Sequence, residues 1–171
     1  MQRRELEKHV SYDPETGTFR WLRLDSKRIG KQAGYIDKKG YRRIEICNRA
    51  FMAHRLAWFY MTSQWPKYSI DHINGDKDDN RFCNLREATN AENKRNGPPR
   101  IDSRSQLKGI YRDNRTGRWV VKLQLAGDNR QSYCGTFTEL ADAIVCSNFH
   151  IAYGHGSFAR LNKMPEGWCH D

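Results

Sequence analysis

No stretch of this chain approaches the roughly 20 consecutive apolar residues needed to cross a bilayer. The opening MQRRELEKHV is basic but has no apolar segment behind it, so no secretory leader is expected either. Cysteine is sparse and odd in number (Cys47, Cys83, Cys134, Cys146, Cys169), with no C-x-x-C pair. That argues against a disulfide framework and against a four-cysteine zinc site, and for free thiols in a reducing cytoplasm. Apolar residues are also in short supply: they make up 37% of 171 positions, and mean hydropathy is −0.92. One large core is excluded on that supply, and two small domains fit better. Acids are outnumbered, 20 against 30 lysines and arginines, for a net charge of +10. A polyanionic partner is implied, nucleic acid before an anionic membrane surface.

Turn chemistry organises the first half. Residues 11–24 read as strand, turn, strand around Asp13-Pro14 and Thr16-Gly17, and residues 33–47 as a second hairpin around Lys38-Lys39-Gly40. In the second arm of that hairpin Arg42, Ile44 and Ile46 alternate with Arg43 and Glu45, the period of a half-buried strand. The run FMAHRLAWFYMT at 51–62 is apolar nearly all round and predicts a buried helix, ended by Trp65-Pro66. His54 within it is expected to be packed and hydrogen-bonded. A short strand is expected over 68–73, then a polar loop. Thr89-Asn90-Ala91-Glu92 has capping-box spacing and predicts a helix from about Thr89 that carries Asn93 on its first turn.

Residues 94–108 are rich in Gly, Pro and basic side chains and read as a linker that does not pack. Beyond it, GIYRDNRTGRWVVKLQLAGDNRQSYCGTF predicts three short strands, with turns at Asn114–Gly117 and at Gly127-Asp128-Asn129. In 118–125, Trp119, Val121, Leu123 and Leu125 form one face, and Arg118, Val120, Lys122 and Gln124 the other, outward one. A helix is predicted over 138–153 with Thr138 as N-cap and an apolar stripe of Leu140, Ala141, Ile144, Val145, Phe149 and Ala152.

The segment IDHINGDKDDNRFCNLREATNAEN at 70–93 carries the chemistry. Hydrolysis of a phosphodiester needs a base of near-neutral basicity, which imidazole provides, and a cation that offsets charge on the phosphate. Asp71 can offer a carboxylate oxygen and Asn93 an amide oxygen, the hard donors magnesium prefers. His72 follows Asp71 directly, so on a regular strand the two point to opposite faces unless a bulge intervenes. Asn74-Gly75-Asp76 reads as a turn, and the Asp76, Asp78, Asp79 cluster lacks the spacing of a calcium loop. Arg86 is open between phosphate contact and simple solvation. Asn80 is a candidate brace of the loop.

With DHINGD, NLREAT and EN in this order, and AHRLAW upstream at 53–58, the segment resembles the HNH homing endonucleases of the phage and intron-encoded branch. The resemblance covers about 50–96. It implies a ββα-metal unit with His72 as general base and Asp71 as first metal ligand. Asn84 would be the central asparagine that holds the loop and helps orient the histidine, and Asn93 the second ligand. Asparagine at that last position favours one magnesium or manganese ion over zinc. Residues 107–162, through KGIYR, GRWVVKL, YCGTF and ARLN, resemble the plant ethylene-response-factor (Apetala-type) DNA-binding domain. By that resemblance Tyr111, Arg112, Lys122, Gln124, Gln131 and Tyr133, together with Arg118, face the major groove.

The expected whole is α+β: a nuclease domain over 1–96, a basic linker at 97–106, a three-stranded antiparallel sheet packed on one helix over 107–163, and a tail from 164 to 171. It implies a metal-dependent DNA endonuclease working on double-stranded DNA in the cytoplasm of a bacterial or phage-infected cell, without membrane contact or an evident protein partner. The competing reading is a DNA-binding protein on a degenerate HNH scaffold. The role of residues 1–49 stays open between DNA contact and support of the 51–62 helix.

Overall fold

A computed structural model describes residues 2–22, 28–99, 103–124 and 130–166. It divides into two compact units, Met1–Asn90 and Ala91–Asp171. Among the described residues no helix is long and apolar enough to cross a membrane.

The first unit begins with a single helical turn, α1 (Arg3–Leu6), and a hairpin of β1 (Val10–Asp13) and β2 (Thr18–Trp21). Asp13 builds the hairpin turn. Its carboxylate accepts from Glu15 N (3.0 Å) and Thr16 Oγ1 (2.8 Å), and its carbonyl from Gly17 N (2.9 Å). A three-stranded antiparallel sheet follows, β3 (Tyr35–Ile36), β4 (Arg42–Ile46) and β5 (Arg49–Met52). Strand β5 corrects the expectation of a helix from residue 51: Phe51 and Met52 are strand, and the helix α2 covers Ala53–Thr62. Cys47 and Asn48, both at positive φ (51° and 58°), make the two-residue turn that folds β5 back on β4. The sheet thereby delivers the chain to the first turn of α2, which buries Ala53, His54, Leu56, Ala57 and Phe59. Ser63, left-handed at φ 60°, ends the helix. Trp65 folds back with its ring stacked on Phe59, centroids 4.5 Å apart.

Strands β6 (Ser69–His72) and β7 (Leu85–Ala88) pair antiparallel, joined by the polar loop and a 3-10 turn at Phe82–Asn84. Helix α3 (Asn90–Asn96) starts one residue after the expected Thr89 and spans the boundary between the units. The core of the first unit draws on every one of its layers: Leu6, Val10, Phe19 and Trp21, then Ile44 and Ile46, then Leu56 and Phe59, then Ile70 and Leu85.

The second unit is an antiparallel sheet of β8 (Ile110–Arg112), β9 (Trp119–Leu123) and β10 (Ser132–Phe137), ordered β10-β9-β8, packed on α4 (Leu140–His155). Four readings need correction. The helix begins at Leu140 with Glu139, not Thr138, at its N-cap. Its buried face runs through Ala143, Ile144, Ser147 and Ile151, leaving Val145 and Phe149 exposed at 45% and 68%. Polar Ser147 can lie inside because its hydroxyl donates to Lys108 O (3.0 Å) and accepts from Asn162 Nδ2 (3.1 Å). Val120 is buried although it belongs to the outward set, since it sits on the central strand between Tyr111 and Thr136. The 94–108 segment does pack in part: Leu107 joins the core, and the Lys108 ammonium donates to the carbonyls of Arg95 and Gly97. Residues 100–102, Leu125, the Gly127–Asn129 turn, Cys169 and residues 167–171 of the tail lie outside the described residues.

Candidate active site

Asp71 and His72 end β6 and are both 5% exposed. The register is continuous, Asp71 opposite Arg86 and His72 opposite Leu85, so the bulge that would have brought both side chains to one face is not there. Each residue therefore has its own surroundings. Arg86 holds Asp71 through Oδ2, with Nε at 2.9 Å and Nη2 at 2.7 Å. The pair is largely buried, its side chains 16% and 6% exposed. Arg86 is thus engaged by Asp71 rather than simply solvated. A register assignment would have revealed the cross-strand pair, because Asp71 and Arg86 are direct partners.

His72 lies against two other rings. The His54 ring meets it edge-on, centroids 5.0 Å apart and planes at 83°. Tyr41, just before β4, is tilted against it at 6.1 Å and against His54 at 5.4 Å. Burial pushes the His72 pKa below its ordinary value, opposed by the Asn80 amide and by the carboxylates of Asp71, Asp76 and Asp79. His54 is packed as expected, yet among the described residues its buried Nδ1 finds no hydrogen-bond partner. Burial lowers its pKa to about 3, helped by the nearby His72 and Arg55.

The loop between the strands is held by asparagines. Asn84, 6% exposed, accepts from Asn74 N at Oδ1 (3.0 Å) and donates from Nδ2 to Asn74 Oδ1 (3.0 Å) and Asp79 O (2.9 Å). Its backbone carbonyl also accepts from Ile73 N (2.9 Å), which extends the β6–β7 ladder into the loop. The amide beside the imidazole belongs to Asn80, which is 1% exposed. Its Nδ2 donates to Asp78 O (2.8 Å) and its carbonyl accepts from the Tyr12 hydroxyl (2.7 Å). Two acids of the loop are ion-paired: Asp78 takes both Nε and Nη2 of Arg42 (2.8 and 2.7 Å), and Asp79 takes those of Arg81 (2.8 and 2.6 Å). Among the described residues no group of three or more His, Cys, Asp or Glu side chains is arranged to hold a metal ion.

Removing the Asn84 side chain should loosen this loop. Asn84→Ala strips three part-buried hydrogen bonds and leaves Asn74 N and Asp79 O without the amide. At a net of about 0.5–1.5 kcal/mol for each hydrogen bond lost, a loss of about 3 kcal/mol is expected, read as a lower urea midpoint with an unchanged slope.

The first hairpin backs the loop directly. A Cβ at Gly17, whose φ is +69°, would come within 2.4 Å of Arg81 N and 2.5 Å of the Asn80 carbonyl carbon. Phe82 N donates to Pro14 O at 3.1 Å. The N-terminal residues, whose role the sequence left open, therefore support the loop as well as α2.

Asn93 lies on α3, beyond the boundary of the first unit. In the second unit the register brings Tyr111, Val120 and Thr136 onto one face, with Lys122 and Tyr133 beside them. The Lys122 ammonium lies 5.6 Å from the centre of the Tyr111 ring, and the Tyr133 hydroxyl is 2.9 Å from Thr136 Oγ1. Arg112 pairs instead with Trp119, its guanidinium 5.7 Å from the indole. Arg118, Gln124 and Gln131 are exposed at the strand ends. Gly109, at φ +73°, allows Leu123 to pack where a Cβ would fall 2.2 Å from its Cδ2. Asn162 clasps the same strand entry, its Oδ1 accepting from Lys108 N (2.6 Å) and its Nδ2 donating to Lys108 O (3.0 Å).

No curated protein and no solved structure matches the chain. A family model described as HNH endonuclease matches residues 51–95, a span that runs from the end of β5 through α2, the Asp71-His72 strand, the asparagine-held loop and β7 into α3. Over those residues the chain contains an HNH-type nuclease domain.

Proposed function

We propose that the chain is a metal-dependent DNA endonuclease of the homing type, with His72 as the general base. The observation that carries this is a buried imidazole at the end of β6, next in sequence to an ion-paired carboxylate, inside the segment that matches the HNH model. His72 takes the proton of the attacking water, and Asn84 keeps the loop beside it in place through Asn74 and Asp79. Asp71 and Asn93 are the residues that would hold the cation. Their donor set, one carboxylate and one amide, suits magnesium or manganese, which keep several waters and need few protein ligands. Arg86 occupies Asp71 Oδ2, but a carboxylate has about four lone-pair sites, so that engagement does not exhaust the group. When bound, the cation would offset the charge that builds on the phosphate and the leaving 3′ oxygen.

The second unit is the DNA reader in this scheme, of the Apetala type, over 107–163 beyond a linker at 97–106. Its support is an outward face of Tyr111, Lys122 and Tyr133 with Arg118, Gln124 and Gln131 exposed at its margins, a mixture of cations and rings suited to a groove. Arg112 would reach the backbone from its place on Trp119. The substrate is double-stranded DNA in a bacterial or phage-infected cell. One chain carries one Asp-His-Asn set, so a monomer nicks one strand at a preferred site.

The test is incubation of phage or host DNA with the full chain in magnesium and in chelator, with ends mapped on each strand. Nicks at recurrent positions are expected with magnesium and none with chelator. Cleavage indifferent to chelator would remove the metal from the reading. DNA binding without cleavage in magnesium or manganese would favour a reader on an inactive scaffold.

A further inference from the structure

We propose that His54 is a positioning residue for the general base: its ring, with that of Tyr41, holds the His72 imidazole in one orientation. The inference rests on the assignment of His72 as base, and its evidence is geometric. His54 sits in the first turn of α2, a helix anchored by Leu56, Ala57 and Phe59 in the core of the first unit. From that fixed point its ring meets the His72 ring edge-on at 5.0 Å and 83°. Tyr41 closes the triangle at 5.4 Å to His54 and 6.1 Å to His72, and is itself capped by the Lys77 ammonium 5.0 Å from its ring centre. A side chain walled by two rings has few rotamers left, and orientation of a base toward its water is where small displacements cost most.

His54 is 7% exposed, and among the described residues its buried Nδ1 has no hydrogen-bond partner, so packing against the neighbouring rings, not a bond from Nδ1, sets its place. A proton relay does not account for it. Burial holds His54 neutral far below its ordinary titration range, so it is a poor acceptor for a proton leaving His72. What remains is a flat, uncharged wall that packs against the base without competing for its proton.

The test compares His54→Ala with His54→Phe in the full chain, on DNA that the wild type nicks. With the wall removed, His54→Ala should lower kcat about 10- to 100-fold, the scale of a misplaced reacting group, with KM and DNA affinity unchanged. His54→Phe, which keeps a ring in the slot, should return kcat to within about threefold of wild type. In the free protein, labelled-histidine NMR should show the His72 ring resonances moved in His54→Ala and nearly unmoved in His54→Phe. Unchanged kcat in His54→Ala would overturn the proposal and leave a core residue. A phenylalanine variant as slow as the alanine one would also overturn it, by making the imidazole itself the active group. If the wild type cuts no DNA, the base assignment fails; the NMR comparison still decides the packing, and unmoved His72 resonances in His54→Ala would sink it.

Discussion

His72→Ala should abolish nicking while leaving DNA binding intact. General base catalysis contributes about 10²–10⁴-fold, so the residual rate should fall by at least about 10²-fold. Affinity should stay within about twofold, because His72 is 5% exposed and burial disfavours its charged form; it offers DNA little charge or surface. The variant opens a space beside His54 and Tyr41, so a urea melt must accompany the kinetics, and His72→Asn offers a polar replacement that disturbs packing less. Cleavage in either variant at the wild-type rate would strip His72 of its assignment. Loss of cleavage together with loss of binding would point to collapse of the β6 end rather than to missing chemistry.

Arg86→Ala should cost more stability than any other single change at this site. The Asp71–Arg86 pair is cross-strand, bonded through Nε and Nη2, and its side chains are only 6% and 16% exposed. Removing one partner of a buried pair leaves a desolvated charge behind, a loss of about 3–5 kcal/mol. That is a large share of the about 5–15 kcal/mol that holds a typical protein folded. Arg86→Lys should recover part of the loss, since an ammonium keeps the charge but cannot present two aligned N–H groups to one oxygen. The measurement is the urea midpoint of each variant without metal. Magnesium added afterwards separates the two aspects of Asp71. If the carboxylate does bind the cation, stabilisation by magnesium should be larger in Arg86→Ala than in the wild type, because the ion can supply the missing positive charge. Equal midpoints for wild type and Arg86→Ala would show that the pair contributes no net stability.

The sequence disclosed what depends on local pattern and hid what depends on register. The Asp13 and Lys38–Gly40 turns, the alternation of Arg42–Ile46 and the apolar run that became α2 could all be read in place, since turn chemistry and periodicity act within a few residues. Strand β5 is hidden in the sequence because Phe51-Met52 continues the apolar run of α2. The signal that separates them is the Cys47-Asn48 turn, and only asparagine there advertises a left-handed conformation. Asp71 and His72 were marked by their motif, but Arg86 as a partner, Asn80 beside the imidazole and Tyr41 in the ring cluster are long-range relations, fixed only once β6 pairs with β7 and packs on α2. The α4 stripe failed for a related reason. Hydropathy assigned Val145 and Phe149 to the inside, whereas hydrogen bonds from Ser147 to Lys108 and from Asn148 to Asn162 fix the rotation of the helix.

The hairpin behind the loop carries a consequence of its own. Tyr12 reaches Asn80, Pro14 receives Phe82, and Gly17 presses its bare α-carbon against the Asn80–Arg81 peptide, while Phe19 and Trp21 fill the core under α2. The 45-residue span that matches the HNH model is therefore not a portable cassette. Excised from the chain, it would lose Leu6, Val10, Phe19, Trp21, Ile44 and Ile46 from the core it folds upon, and the prop beneath its asparagine-held loop. A shortened or transplanted nuclease should be cut from the first hairpin onward, not from the start of the motif.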